Sequence, residues 1–373
     1  MLKRVIFYPL FVLLLLLLYL ISGRFVLSYA AKKHPLKESS YISYIKFNCV
    51  GDVFLHDSNL KSAETKDGFE FKASFQEISS ALRDADITSC WLGGVFDTTG
   101  PYTGYPLFKS PDELLTALHE SGFDLMLRTN HTMDYYEEGL ESTTNLIEKN
   151  GMIQLGAFLT EEKSREIYVA VKDSLKVAVL SYTYGLNGLK PKHSWEVAMI
   201  DTAKIRSDIE RAKNISDFIV LFLHYGTEYS REPSEYQKRI ARFCAEAGAG
   251  IIVGSHPHVI EPVETLVTKD NRIVYSAYSL GNFFCGQRKE HTDCGMILSF
   301  IVEKSSRTNS KAIVKSISYK PTYVKKYLSE NSYKFKIVLS EEYSDSSDKE
   351  IFNRIKESAE ETKCLMRLIS GNR

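Results

Sequence analysis

The sequence carries no excess of charge: 47 Lys and Arg balance 47 Asp and Glu over 373 residues. A nucleic-acid binder normally shows a basic surplus, so no nucleic-acid partner is expected. The six cysteines include no CxxC pair, which removes thioredoxin-type and paired-cysteine zinc readings. Their scattered spacings define no disulfide framework. Cys49, Cys90 and Cys244 lie in apolar surroundings and read as buried free thiols. No segment recurs at a fixed period, which argues against a repeat architecture.

What is present is an ordinary globular composition, 44% hydrophobic and 25% charged, preceded by an unusual N-terminus. Lys3 and Arg4 lead into an uncharged stretch from Val5 to Gly23. That is about the length needed to cross a bilayer, and long for a signal-peptide core. Ser28 and Ala30 would suit a cleavage site, but the length favours an uncleaved transmembrane helix over residues 1–30. The basic flank places the remainder outside the cytoplasm, as a single-pass protein of the cell membrane. A polar linker, residues 31–43, is expected to follow.

From Tyr44 onward, strand-like and helix-like segments alternate. Tyr44–Val50, Ile87–Leu92, Phe123–Leu127, Phe218–Leu223 and Ile251–Val253 read as strands. Phe71–Leu82, Glu137–Lys149, Thr202–Lys213 and Glu235–Glu246 read as helices. Ser110-Pro111-Asp112-Glu113 has the form of a capping box opening another helix, which ends near Gly122. Gly93–Gly104 and Ser279–Phe284 read as loops. Ile167–Tyr182 and Ile260–Ser279 each read as two strands joined by a turn. The pattern predicts an α/β sandwich over residues 44–325, followed by a charged C-terminal tail, 326–373, with a helix near Asp348–Ile369.

Several of these strands end on residues able to ligate a metal. Val50 is followed by Gly51-Asp52, Leu127 by Arg128-Thr129-Asn130-His131, Leu223 by His224, and Val253 by Gly254-Ser255-His256-Pro257-His258. Parallel sheets place their sites beyond the carboxyl ends of the strands. Pro257 fixes its own φ and should bias His256 towards an extended conformation, letting His256 and His258 face one point. Mixed Asp, Asn and His donors suit Zn, Mn or Fe, as one ion or two. His56 reads more readily as a solvent-facing residue. Asn282 would either orient a ligand histidine or fix its own turn. Tyr182 and Tyr184 suit packing or substrate contact better than catalysis.

These stretches resemble a known family. Val50–His56, Gly104–Leu114, Asn130–Asp134, Tyr182–Gly188, Leu223–Tyr229, Gly254–Glu264 and Tyr278–Phe284 follow, in order, the motifs of the bacterial capsule-synthesis CapA (poly-gamma-glutamate) family. That family is a distant branch of the calcineurin-like metallophosphoesterases. The resemblance implies a four-layer α/β/β/α fold and metal ligands at Asp52, Asn130, His224, His256 and His258. It places His131 beside the reacting phosphate as a general acid. It also implies a role in synthesis, export or tethering of an anionic polymer, polyglutamate or phosphate-containing, alongside other capsule-synthesis membrane proteins.

The chain departs from the family at two places. Where the family usually has Asn-Leu-Glu it has Trp91-Leu92-Gly93, and Thr129 replaces the first amide before Asn130-His131. The loss of an anionic ligand weakens a dication site. Asp57 and Asp97 are the nearby carboxylates that would substitute. The departures leave open a non-catalytic subunit that binds polymer or partner proteins through a degenerate metal site.

Overall fold

The computed structural model describes residues 41–306 and 310–370; the expected anchor at 1–30 lies outside these, as does residue range 31–40 of the expected linker. Among the described residues no helix is long and apolar enough to cross a membrane. Ile42 and Ser43, expected in the linker, already belong to the first strand.

In chain order the strands are β1 (Ile42–Val53), β2 (Ile87–Leu92), β3 (Val95–Asp97), β4 (Lys109–Pro111), β5 (Leu125–Arg128) and β6 (Ile153–Leu155). There follow β7 (Tyr168–Lys172), β8 (Leu175–Thr183), β9 (Phe218–His224), β10 (Ile251–Ser255), β11 (Val263–Val267) and β12 (Ile273–Ala277). The last are β13 (Asn282–Phe284), β14 (Cys294–Ser305), β15 (Ile313–Ser329) and β16 (Ser332–Leu339). One sheet has the order β16-β15-β14-β1-β2-β5-β6, with β13 on β1; the other runs β11-β12-β10-β9-β8-β7. In each sheet the central strands are parallel: β1, β2, β5 and β6 in the first, and β8, β9, β10 and β12 in the second.

Burial sorts the strands into layers. The central strands are apolar on both faces, as parallel strands covered on both sides must be; β9, FIVLFLH, is buried throughout. One cluster of side chains fills the space between the sheets, where Trp91 of β2 meets Phe222 of β9 edge-on at 5.5 Å and Phe47 stacks on Phe300 at 5.0 Å. A second cluster packs the helix Glu113–Ser121, through Leu114 and Leu118, on the outer face of the first sheet. A third packs Ile205, Ile209, Ile240 and Cys244 on the outer face of the second. The result is helix, sheet, sheet, helix, in agreement with the expected layering. Cys49, Cys90 and Cys244 are buried and free.

Four expectations are corrected. Gly93–Gly104 is not wholly loop, because β3 pairs in parallel with β4. Ser110 and Pro111 are taken up by that ladder, so the next helix starts at Glu113 with Asp112 as an N-cap that makes no side-chain bond. Ser279–Phe284 contains β13, which lies parallel to β1 with Asn282 opposite Asp52. The stretch after residue 326 is no tail. In β16 Phe335 and Ile337 point into the core, while Lys334 and Lys336 reach out to the Ser62 carbonyl and Glu77. The final helix, Lys349–Ser370, inserts Ile355 and Met366 into the inter-sheet cluster and is tied down by Arg354–Asp293 and His291–Glu361. The alternating lysines and serines masked an edge strand with one buried face.

Candidate functional site

Asp52 comes from the first sheet and His224 from the second, and both point into the gap at the carboxyl ends of their strands. Asp52 Oδ1 lies 3.3 Å from His224 Nε2, and Asp52 Oδ2 lies 3.1 Å from His258 Nδ1. The approach of β13 to β1 makes this possible. A Cβ on Gly51 would stand 1.7 Å from the Gly281 carbonyl oxygen, so only glycine lets that oxygen accept the Asp52 N–H. His256 joins from the other side, its ring 5.0 Å from that of His224 and 4.4 Å from Tyr184.

The His-Pro-His segment is not extended as expected. His256 has φ +114° and His258 φ +62°, both in the region that favours glycine. Such backbone costs on the order of 1–3 kcal/mol per residue and persists where the surroundings enforce it. Here Tyr225 N–H to the Ser255 carbonyl and Tyr229 N–H to the Pro257 carbonyl pin the turn. The two rings still reach the same site, with centroids 6.0 Å apart.

Asn282 fixes the tautomer of His258. Its amide nitrogen donates to Gln287 Oε1 and to the Thr292 carbonyl, so its oxygen faces His258 Nδ1 at 3.0 Å and must accept a proton from it. His258 Nε2 is thereby left as the free lone pair, which is how outer partners prepare a histidine for a cation. Asn282 therefore orients a site histidine.

The charges follow from burial and proximity. Burial works to raise the Asp52 carboxyl, but hydrogen bonds and charge from His224 and His258 outweigh it and hold the group well below the usual carboxylate range. Burial pulls His258 down, and Asp52 more than restores it, so its pKa is raised. Burial lowers His224 despite Asp52. Burial, with His224 and His258 adding to it, lowers His256 well below an ordinary histidine. Thus one anion faces two rings, His224 and His256, that burial drives towards the neutral, ligating form, and a third, His258, whose protonated form it favours.

Asn130 and His131 form the second half. Asn130 donates its amide to Asn187 Oδ1 at 2.8 Å and also bonds Tyr184. Asn187 Nδ2 lies 3.2 Å from His131. His131 Nδ1 is 2.8 Å from Oδ2 of the fully buried Asp134, which also accepts the Phe108 N–H. His131 stands close enough to act electrostatically on His56, His224 and His256. The five expected ligands and the expected acid thus share one site.

Sequence reading missed Asn187, Asp134 and Phe54. Asp134 had a visible signal, three residues after His131; Asn187 had only its place in a glycine-containing loop. His56, expected to face solvent, instead packs its ring 5.0 Å from Phe54 and 5.4 Å from Phe108, and burial, with His258, pulls its pKa down to about 4. The proposed carboxylate substitutes do not arrive: Asp97 pairs with Lys109, and Asp57 accepts the Gly104 N–H at the surface. At the departed positions, Trp91 turns into the inter-sheet core. Gly93 lies against Phe54, where a Cβ would come within 2.9 Å of the Phe54 Cβ. Phe54 in turn packs 5.1 Å from the His258 ring. An aromatic ring adjoins the backbone position from which a carboxylate would have entered.

The donors suit a divalent ion in kind. His224 Nδ1 and His256 Nδ1 are buried with no hydrogen-bond partner, and the buried Asp52 Oδ2 faces only the His258 ring at 3.1 Å. The cage is not preformed, however: among the described residues no three His, Cys, Asp or Glu side chains stand arranged to hold an ion.

The family model described as bacterial capsule synthesis protein PGA_cap matches residues 46–287, from β1 through β13. The chain belongs to this family. It is similar to the PGA biosynthesis protein CapA of Bacillus subtilis (strain 168), with 27% identity over 296 residues, covering 75% of this chain and 74% of that one. It is also similar to the capsule biosynthesis protein CapA of Bacillus anthracis, with 26% identity over 281 residues, covering 71% and 64%. Among solved structures, the calcineurin-like phosphoesterase YfkN from Bacillus subtilis matches at 13% identity and a TM-score of 0.44, covering 86% of this chain and 98% of that one. All the site residues described above fall within the family match.

Proposed function

We propose that this family member is anchored in the cell membrane and acts outside the cytoplasm in the synthesis, export or tethering of an anionic capsule polymer such as poly-gamma-glutamate. The observation that carries the chemical part is the buried Asp52 set among His224, His256 and His258, contributed by both sheets. A divalent ion (Zn, Mn or Fe) held by Asp52, Asn130, His224, His256 and His258 would supply Lewis acidity towards a phosphoryl or carboxyl oxygen. The chain's own groups then divide the work of a hydrolysis. His131 stands ready to pass a proton from Nε2 to a leaving group, while Asp134 holds Nδ1 and stabilises the charged ring. Asn187 and Tyr184 keep Asn130 aimed into the site. Asn282 keeps His258 in the tautomer that leaves Nε2 open.

A second reading is favoured by one observation, the packing of Gly93 against Phe54. Without a carboxylate there, the site binds an anionic polymer or a partner membrane protein and turns nothing over. Metal analysis of the purified protein, run beside a generic phosphodiester assay, separates the two. Hydrolysis is supported by bound metal with turnover that His256→Ala abolishes. Less than one metal per chain, with no turnover sensitive to that change, sinks it.

A further inference from the structure

The exposed isoleucines and valines of this protein are not scattered. Among the described residues, Ile42, Val171, Ile215, Ile273 and Ile313 are exposed, each between 46% and 61%. Val267, opposite Ile273 in the β11–β12 ladder, and Ile153, first residue of β6, complete the set. Every one lies at the end of the sandwich where the parallel strands begin. Ile42 opens β1, Ile273 opens β12, Ile215 precedes β9, Val171 closes the antiparallel β7, and Ile313 opens β15 opposite Glu303 near the end of β14. Contacts between the sheets put these ends side by side: Ser43 with Ser174, Lys172 with Asp86, and Lys304 with Asp217. Ile273 and Ile313 line one groove of about 760 Å³ together with Phe218 and Tyr275. The candidate site is at the opposite end of the same strands.

Clustered exposed aliphatic side chains mark a surface that meets something apolar. The direction of the chain says what. Residue 42 enters the fold at this end, and 18 residues upstream of it (24 through 41) the uncharged stretch Val5–Gly23 ends. Eighteen residues reach at most about 60 Å, so the tether allows contact with the bilayer without enforcing it. Several charges at this end are matched in pairs, Lys172 with Asp86, Lys304 with Asp217 and Lys213 with Glu210, which leaves the aliphatic side chains to carry most of the attraction.

We infer that this strand-starting end of the sandwich is a membrane-contact surface, seated at the headgroup boundary of the lipid bilayer, which holds the candidate site away from the membrane. The inference rests on the anchoring proposed above. Contact carried by aliphatic side chains should depend only weakly on salt and on anionic lipid.

The test uses the full chain in nanodiscs of phosphatidylcholine, one chain per disc. Cys364, the exposed cysteine, is changed to Ser, and single cysteines are introduced as Ile273→Cys, Ile313→Cys or, as a control at the far end, Leu328→Cys. Each is labelled with an environment-sensitive fluorophore. Labels at 273 and 313 should shift to the blue and be quenched about twofold or more by spin-labelled lipid, nearly equally at low and high salt, while the label at 328 is untouched. Labels at 273 and 313 as wet and unquenched as the one at 328 overturn the proposal while leaving anchoring intact. A blue shift without lipid quenching assigns the face to a protein partner and also overturns it. A chain that fails to enter the discs refutes anchoring itself, and the contact surface with it.

Discussion

Asp52→Asn keeps the shape of the side chain and removes the one buried anion from among three histidines. In the native protein His258 is pulled down by burial and raised above an ordinary histidine by Asp52 at 3.1 Å. At that distance a full charge pair in an effective dielectric of about 20 is worth about 5 kcal/mol, and tenfold in a proton equilibrium costs about 1.4 kcal/mol. Without that attraction burial meets less opposition, so the His258 titration should fall below that of the native protein. Ring-nitrogen NMR on the metal-free protein reads this directly. The stability consequence has a sign. The folded-state pKa of Asp52 is depressed, so its contribution is present above the ordinary carboxylate range and is lost as pH falls through the folded value. At pH 7 the variant should therefore be less stable. The loss should stay below the about 3–5 kcal/mol typical of a broken buried pair, because the orphaned imidazole can shed its proton. Zn or Mn affinity, measured by calorimetry, should weaken by about 100-fold or more, since losing an outer partner alone costs about 10–100-fold. An unchanged His258 titration would refute the electrostatic reading of the site. Unchanged metal affinity would refute Asp52 as a ligand.

Other perturbations test other parts. Gly93→Ala should lose about 1–3 kcal/mol to the clash with Phe54, whereas Gly185→Ala, with open space around its Cβ, should stay within about 0.5 kcal/mol; equal melting temperatures for the two would remove the packing argument. Asn187→Ala should leave the melting temperature nearly unchanged yet weaken binding of inorganic phosphate about tenfold, because Asn130 and His131 both lose their brace. If phosphate affinity is unaffected, the loop does not position the site. Burial pushes the Glu261 carboxyl up to about 8, with Gln237 donating to it at 2.6 Å. Its raised pKa means stability that is full below pH 4–5 and declines as pH rises towards 8. Denaturant midpoints at pH 5 and 8.5 should differ in the wild type and converge in Glu261→Gln; an identical pH dependence in both proteins would rule Glu261 out as the source.

The residues that carried the fold and the candidate site in the sequence are those with a strong local signature. β9 could be read because seven consecutive buried residues leave no choice of face, and it delivered His224 at its end. β16 could not, because Ser332, Lys334 and Lys336, three of its eight residues, face outward, and nothing local tells an edge strand with one buried face from a solvated tail. The same divide runs through the site. Asp52, His224, His256 and His258 announce themselves by residue type at strand ends, whereas Asn187 becomes functional only because a loop of the second sheet folds over the end of β5. The turn at His256 is the sharper case. Local rules for a residue before proline favour an extended backbone, and the observed φ of +114° shows tertiary contacts overriding them.

Gly93 shows how far absence in a sequence can be pressed. The missing carboxylate alone is compatible with a neighbour moving in to replace it. The structure removes that option, because Asp57 and Asp97 are engaged elsewhere and Phe54 lies against Gly93 and packs on His258. Restoring the acid by Gly93→Glu alone should therefore not raise metal stoichiometry, while Gly93→Glu with Phe54→Ala should. The comparison is made on the same protein preparation by elemental analysis. A rise in the single variant would show that Phe54 yields and that the site is merely short of a ligand. No rise in either would show that the surrounding strands are set for an anion-binding pocket with a single cation at most.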